Sequence, residues 1–541
     1  MLANDKLELF LQILSQRVPT PETEVQVMIV ADLISSLCTT EHHYNAMVDS
    51  GILDALATKL ASFAVAGGYV LPRAEILAKS SGLFDYIPEP ALSDRGLKSV
   101  LSAVATIIRG SAFRACKLVF SPSILAVFPN TSYDWSTYSK APSETVELPG
   151  LRPTRQTGDE LMDLLLPQIP AHSREWAHSA FSPLGASASK ENVPTKGRSA
   201  SKSNTNLSAW TSQGDGADTE TEEAESPLIP WLIHLVRSRS GMEVVMAGSI
   251  LASLFNAGFA YKSREAALGL LVVPILLRIL DMTGYNLKID SVDASAPIGL
   301  EKLTLLHETC GLLVQFIDEN ELLQKAAFDA DAIKIMCKLL KATYEAPLPK
   351  GAPRPWCPDP NSRKSSKDVP PECRLGDEEE VPGHKLILWV RGGALLALHA
   401  LAARKEQYRK AIVDQDAVPY IVESLQPSPR KPKEQRDKPL ESLLEDNVNE
   451  FIPSEYGNNT SFVIASACHT IRMLSRSVTI LRTTLVDHMV SIPIFRLLRH
   501  ANPEIQVAAT AAICNLVTNF SPMREVSTPI WCRFSPALAL T

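Results

Sequence analysis

Residue types that could do chemistry occur at few places in the chain. His42 and His43 stand side by side in TTEHHYNAMVD (39–49), and Cys357 and Cys373 lie in a proline-rich stretch. Zinc needs three or four N, S or O ligands at suitable spacings. The histidine pair has no third ligand at such a spacing, and the two cysteines have no histidine pattern beside them. His42 and His43 therefore read as surface or helix-cap residues. The sequence has no Gly-rich phosphate loop, no Gly-x-Ser-x-Gly elbow and no His-Glu-x-x-His pair. Its nine cysteines include no Cys-x-x-Cys. Cys38, Cys116, Cys310, Cys337, Cys468 and Cys514 sit singly in apolar helical text, as buried thiols in a reducing compartment do. The expectation is a protein of cytosol and nucleus that is not an enzyme, with no catalytic residue, no metal and no cofactor.

Composition narrows the partners. The 541 residues carry a net charge of −7, with 45% apolar and 21% charged residues and 38 prolines. That is a folded protein interrupted by unstructured stretches, too long for one compact core. No dominant basic face suggests nucleic acid, and PRKPKEQRDK (429–438) reads as a solvated loop of mixed charge. LGLLVVPILLRIL (268–280) is broken by Pro274 and carries Arg278, so it reads as a buried helix rather than a bilayer span. The start, MLANDKLELFLQIL, lacks the pattern of a secretory signal. Protein partners remain, with no nucleic acid, membrane or small-molecule substrate.

Four segments share one grammar: AMVDSGILDALATKL (46–60), AAFDADAIKIMCKLL (326–340), AIVDQDAVPYIVESL (411–425) and TLVDHMVSIPIFRLL (484–498). In each, an apolar residue precedes an aspartate (Asp49, Asp329, Asp414, Asp487). A short break follows, then a helix with apolar residues at i, i+3, i+4 and i+7. A further helix dense in Ala and Gly completes the unit: VQVMIVADLISSL, KSVLSAVATIIRG, VMAGSILASLFNAG, HETCGLLVQFID, WVRGGALLALHALA, IASACHTIRMLS and VAATAAICNLV. Once the stretches 345–385 and 426–460 are set aside, the repeat is about 40 residues, the period of armadillo and HEAT arrays. The predicted fold is all-α, an armadillo-type helical-repeat solenoid of about seven degenerate units, with long disordered insertions between second and third helices.

The chain then divides into N-terminal repeats (1–130), a Ser/Pro/acidic insertion (131–225), repeats (226–344), a Pro-rich loop (345–385), a repeat (386–425), a charged loop (426–460), repeats (461–526) and a non-helical tail (527–541). Within 131–225, GDELMDLLLPQIP (158–170) reads as a short collapsed helix, with a partner-binding motif as the alternative. Aligned on their small-residue cores, the third helices place Ser36, Thr106, Asn256, Gln315, Ala400, Arg472 and Asn515 at one position. Six of the seven are polar, and Ser36, Thr106, Asn256, Gln315, Arg472 and Asn515 are the candidate ladder of a concave partner-binding groove. The alternative is a position that simply faces water.

ASACHTIRMLSRSVTILRTTLVD, followed by IPIFRLLRHANPEIQVAATAAICNLVTNFSPMRE, resembles the armadillo-repeat scaffold subunit of the glucose-induced-degradation (GID, or CTLH) ubiquitin ligase, most specifically over 461–525. The resemblance implies a non-catalytic scaffold joining other ligase subunits to a substrate receptor, which recruits proteins such as gluconeogenic enzymes through their N-terminal residues. Two rivals are an importin-alpha-like nuclear-transport adaptor and a catenin-type adaptor. The first repeats Trp and Asn along its third helices, whereas here Asn recurs at only two aligned positions and Trp at none. The second has a strongly basic groove, and this ladder has one Arg. SPMREV (521–526) opens another repeat that STPIWCRFSPALALT (527–541), with Pro529 and Pro536, does not continue. That break reads as a C-terminal truncation.

Overall fold

The computed structural model describes residues 4–16, 18–68, 78–79, 81–128, 226, 228–260, 264–289, 297–345, 382–429, 456–476, 483–485 and 487–517. All belong to one compact unit. The readings made for 158–170, Cys357, Cys373, 521–526 and the tail fall outside these residues.

The described elements are helices, with no strand among them. The array begins with α1 (Asn4–Leu14) and α2 (Pro21–Leu37). Thr20 caps α2 through a reciprocal pair with Thr23, and Pro21 sits in its first turn. A three-helix unit follows: α3 (Glu41–Asp49), α4 (Ile52–Ala66) and α5 (Leu97–Ile108). Next come α6 (Ala112–Val119), α7 (Pro122–Val127), α8 (Leu228–Ser238) and α9 (Met242–Asn256). The succeeding units are α10 (Arg264–Leu271), α11 (Val273–Ile289) and α12 (Pro297–Ile317), then α13 (Glu321–Asp329), α14 (Ala332–Ala342) and α15 (Pro382–Ala402). The last described are α16 (Glu406–Asp414), α17 (Val418–Glu423), α18 (Ser461–Leu474), α19 (Ser491–Leu497) and α20 (Pro503–Val517).

The shared Asp grammar is a helix end. Asp49, Asp329 and Asp414 are the last residues of α3, α13 and α16. Two residues on, the backbone turns left-handed in all four units: Gly51 at φ 80°, Asp331 at 61°, Asp416 at 49° and Met489 at 57°. A left-handed residue stops one helix and lets the next start at once. Glycine adopts that conformation freely, and aspartate does so better than most residues.

The seven third helices stack in order, α2 on α5, α5 on α9, α9 on α12, α12 on α15, α15 on α18 and α18 on α20. Second helices stack likewise, α1 on α4, α4 on α7 and α11 on α14. One hydrophobic core runs through the pile from Leu7 to Leu516. The small residues of the third helices are what let their backbones approach. A methyl group on Gly248 of α9 would stand 2.7 Å from Leu312 Cδ2 on α12, and one on Gly393 of α15 would stand 2.9 Å from Cys310 Cβ on α12. One on Gly392 would enter the Phe462 ring of α18.

Two sequence expectations change. The 131–225 insertion does not lead straight into a third helix, because α8 intervenes and packs on α9. Its Leu228, Ile229, Leu232, Ile233, Leu235 and Val236 are buried almost all round the helix. The apolar run near 268 is also longer than Pro274 suggested: Arg264–Gly284 and Gly383–Ala402 are long and apolar enough by length and composition to cross a membrane. Proline is tolerated in a helix's first turn, and Pro274 is the second residue of α11. Leu268, Val272, Leu276 and Leu280 of this stretch are buried in the helical core.

First helices also fasten the third helix before them. Arg114 Nε donates to Ile107 O (2.6 Å), Gln324 Nε2 to Ile317 O (3.0 Å) and Arg409 Nη1 to Ala402 O (3.1 Å). Each reaches seven residues back to a C-terminal carbonyl that has no partner within its own helix. Arg114 is 2% exposed and also pairs with Glu41, with its guanidinium 5.0 Å from the centre of the Tyr44 ring.

Substituting two glycines separates packing from propensity. Gly393→Ala is expected to lose about 1–3 kcal/mol by overpacking. Gly311→Ala, where an added methyl meets nothing within 4 Å, is expected to gain about 0.5–1 kcal/mol as a helical alanine. Urea denaturation of the two variants checks both signs.

Candidate protein-interaction face

The positions aligned along the third helices differ in exposure and in what they touch. Ser36 is exposed and its Oγ donates to Leu33 O at 2.9 Å, while half-buried Thr106 donates through Oγ1 to Ser102 O at 2.8 Å. Both bonds stay within their own helix. Asn256 is exposed and its Nδ2 donates to Gln315 O on the next third helix at 3.0 Å. Half-buried Asn515 does the same to Arg472 O at 3.0 Å. Gln315 Oε1 is buried with no hydrogen-bond partner, and Ala400 is buried. Residues aligned by sequence thus meet across two helix pairs, Asn256 with Gln315 and Asn515 with Arg472.

Other polar groups stitch the same helices. Thr470 Oγ1 donates to Leu395 O at 2.9 Å, and His399 Nδ1 lies 3.1 Å from His469 O. Towards the N-terminal end, Arg109 Nη2 reaches Glu308 Oε2 at 3.3 Å and Lys98 Nζ reaches Glu301 Oε1 at 4.0 Å. These ion pairs join α5 to α12, the third helices on either side of α9. Towards the other end, Trp389 packs on His307 (4.9 Å between rings), with Lys385 Nζ 5.1 Å from the Trp389 ring centre. The rings of His399 and His469 lie 5.4 Å apart. Burial lowers the pKa of His307, His399 and His469, which favours neutral imidazoles.

The chemistry-bearing residues lie apart. His42 and His43 have ring centres 6.3 Å apart, and among the described residues no three His, Cys, Asp or Glu side chains could hold a metal ion. Burial pushes the Cys38 thiol up to about 11 and those of Cys310, Cys337 and Cys468 to about 12. These thiols are protonated apolar fillers rather than nucleophiles.

A residue that pattern reading missed is Arg391, fully buried on α15. Its Nε donates to Thr343 Oγ1 (3.2 Å) and its Nη2 to Thr343 O and Tyr456 O (3.0 Å each). Its Nη1 donates to Asn459 Oδ1 (2.7 Å), and the guanidinium lies 4.0 Å from the centre of the Tyr344 ring. Tyr344 Oη pairs with Ser424 Oγ at 2.8 Å, and Asn459 Nδ2 donates to Gln426 O at 2.7 Å. This one cation ties the chain entering the 345–385 stretch to the C-terminal end of the 426–460 stretch, and Asn459 carries the tie on to Gln426. The signal for it was an Arg inside WVRGGALLALHALA, where a purely apolar helix would have none.

No protein-family model matches the chain. It is 29% identical over 304 residues to GID complex subunit 5 of Schizosaccharomyces pombe, covering 55% of this chain and 30% of that protein. It is 38% identical over 80 residues to armadillo repeat-containing protein 8 of Danio rerio, covering 15% of this chain and 12% of that one. The matches span less than a third of the length of these curated relatives. A solved designed armadillo repeat protein, YIII(Dq)4CqI, aligns over 53% of this chain and 82% of its own at 15% identity and a TM-score of 0.29. The resemblance to an armadillo-repeat GID subunit is met by the similarity to GID complex subunit 5 and to armadillo repeat-containing protein 8.

Two measurements check the polar interior. Replacing Arg391 by Met strands the oxygens of Thr343, Tyr456 and Asn459 and is expected to cost at least about 2 kcal/mol, read as a lower urea midpoint. The histidines have folded-state pKa values below their unfolded value of about 6.5. The unfolded chain therefore takes up more protons, and stability present above about pH 6.5 is lost as pH falls through it. The urea midpoint is expected to drop between pH 7.5 and 5.5, and to drop less in His399→Gln.

Proposed function

We propose that the chain is a non-catalytic interaction scaffold of a GID-type multi-subunit ubiquitin ligase, linking the ligase core to a substrate receptor for regulated protein degradation. The observation that carries this reading is the uninterrupted stack of seven third helices, α2 to α20. A stack of this kind offers a long surface along its length, which suits partner assembly. The similarity to GID complex subunit 5 supplies the kind of assembly.

On this reading the partners are other ubiquitin-ligase subunits and a substrate receptor. Nucleic acid, membrane and small-molecule substrate have no part, and no cofactor is needed. The chain works in cytoplasm and nucleus. Ser36, Thr106, Asn256, Gln315, Arg472 and Asn515 mark the line along which a partner segment lies. Asn256 and Asn515 brace the neighbouring helix while standing on that line.

Affinity purification of the chain from cells tests the proposal. Recovery of RING-type ligase subunits is the expected result, and recovery of importin-beta with basic cargo in their place overturns it. Within the purified assembly, Arg472→Ala combined with Asn515→Ala is expected to cut receptor capture about tenfold while ligase-core capture persists. Undiminished receptor capture would remove the groove from the proposal.

A further inference from the structure

The first repeats enclose a cleft of about 550 Å³ between α1, α2, α4, α7 and the 84–93 segment. That size falls in the range of ligand sites, about 300–1,000 Å³. Its roof is pinned: Glu24 Oε1 accepts from Leu92 N (2.8 Å) and Ser93 N (3.2 Å), and Glu24 Oε2 accepts from Ser93 Oγ (2.9 Å). Ala91 N donates to Ser62 O at 3.2 Å on the floor helix α4. The opening is therefore built into the fold.

Leu11, Leu14, Val27, Phe63 and Ile87 line the cleft with apolar surface. Within it, Lys59 Nζ donates one of its N–H groups to Gln16 O at 2.6 Å. The remaining N–H groups of this ammonium stand inside the apolar enclosure, which is what the C=O of a peptide unit satisfies. Exposed Asp54, Asp85 and Glu89 also line the cleft, so its outer part attracts positive charge.

We propose that this cleft is a docking pocket for a short extended segment of a partner protein. The segment inserts apolar residues between α2 and α4 and lays an adjoining Lys or Arg against Asp85 and Glu89. A main-chain carbonyl of the segment accepts from Lys59 Nζ. The pocket is separate from the outward ladder of the third helices, so the two readings stand or fall independently.

The test uses the full chain and a fluorescein-labelled, terminally blocked hexapeptide, Leu-Pro-Leu-Leu-Lys-Arg, followed by anisotropy. Saturable binding is expected, weakened about tenfold or more by Lys59→Met and by the double variant D85R/E89R. The second variant alters only exposed side chains, so its fold is safe. A peptide ending in Asp-Glu should bind that double variant more tightly than it binds the parent chain. Absence of saturable binding, or binding indifferent to the rim substitutions, would overturn the proposal.

Discussion

Helices can pile up for a whole chain only if their backbones come close at every step, and in this protein that requirement falls on the third helices. At Gly248, Gly392 and Gly393 the neighbour's side chain already occupies the place of a Cβ. The rest follows from that proximity. Side chains of one helix reach the backbone of the next, the core runs unbroken from Leu7 to Leu516, and the outward faces merge into one surface. A unit of this kind cannot bury its apolar side alone, so each is stable through its neighbours.

Close stacking gives the polar positions of the third helices a double character. Asn256 and Asn515 hold the adjacent helix through its carbonyls, and the same two residues belong to the line proposed above for a partner. Thr470 and His399 make the same kind of stitch. At Asn256 and Asn515 the cost of carrying a polar side chain in tightly packed helices is met by the neighbour's backbone, whereas Ser36 and Thr106 bond within their own helices. The ion pairs of Lys98 and Arg109 add weak, exposed links from α5 to α12.

Long stretches interrupt the array without breaking it because their ends are fastened to the core. Arg391 does this with a buried guanidinium whose partners in the cluster are carbonyl, hydroxyl and amide oxygens and an aromatic face. Arg114, Gln324 and Arg409 fasten short turns instead, each reaching back to the end of the third helix before it. Backbone carbonyls at helix ends carry partial negative charge, which makes them natural partners for these side chains.

The sequence by itself determined the helical class, the period, the aspartate that ends each first helix and the aligned third-helix positions. These follow from local rules: apolar spacing of 3.6 residues and the left-handed turn after Asp49, Asp329, Asp414 and Asp487. It also carried the resemblance over 461–525. Only the tertiary structure decided what the aligned polar residues touch, that α8 stands before α9, and that Arg391 gathers Thr343, Tyr456 and Asn459. Those facts depend on groups far apart in the chain, brought together by packing. The cleft beneath Glu24 and Ser93 is of the same kind, since its walls come from five separate segments and no periodicity along the chain records their meeting.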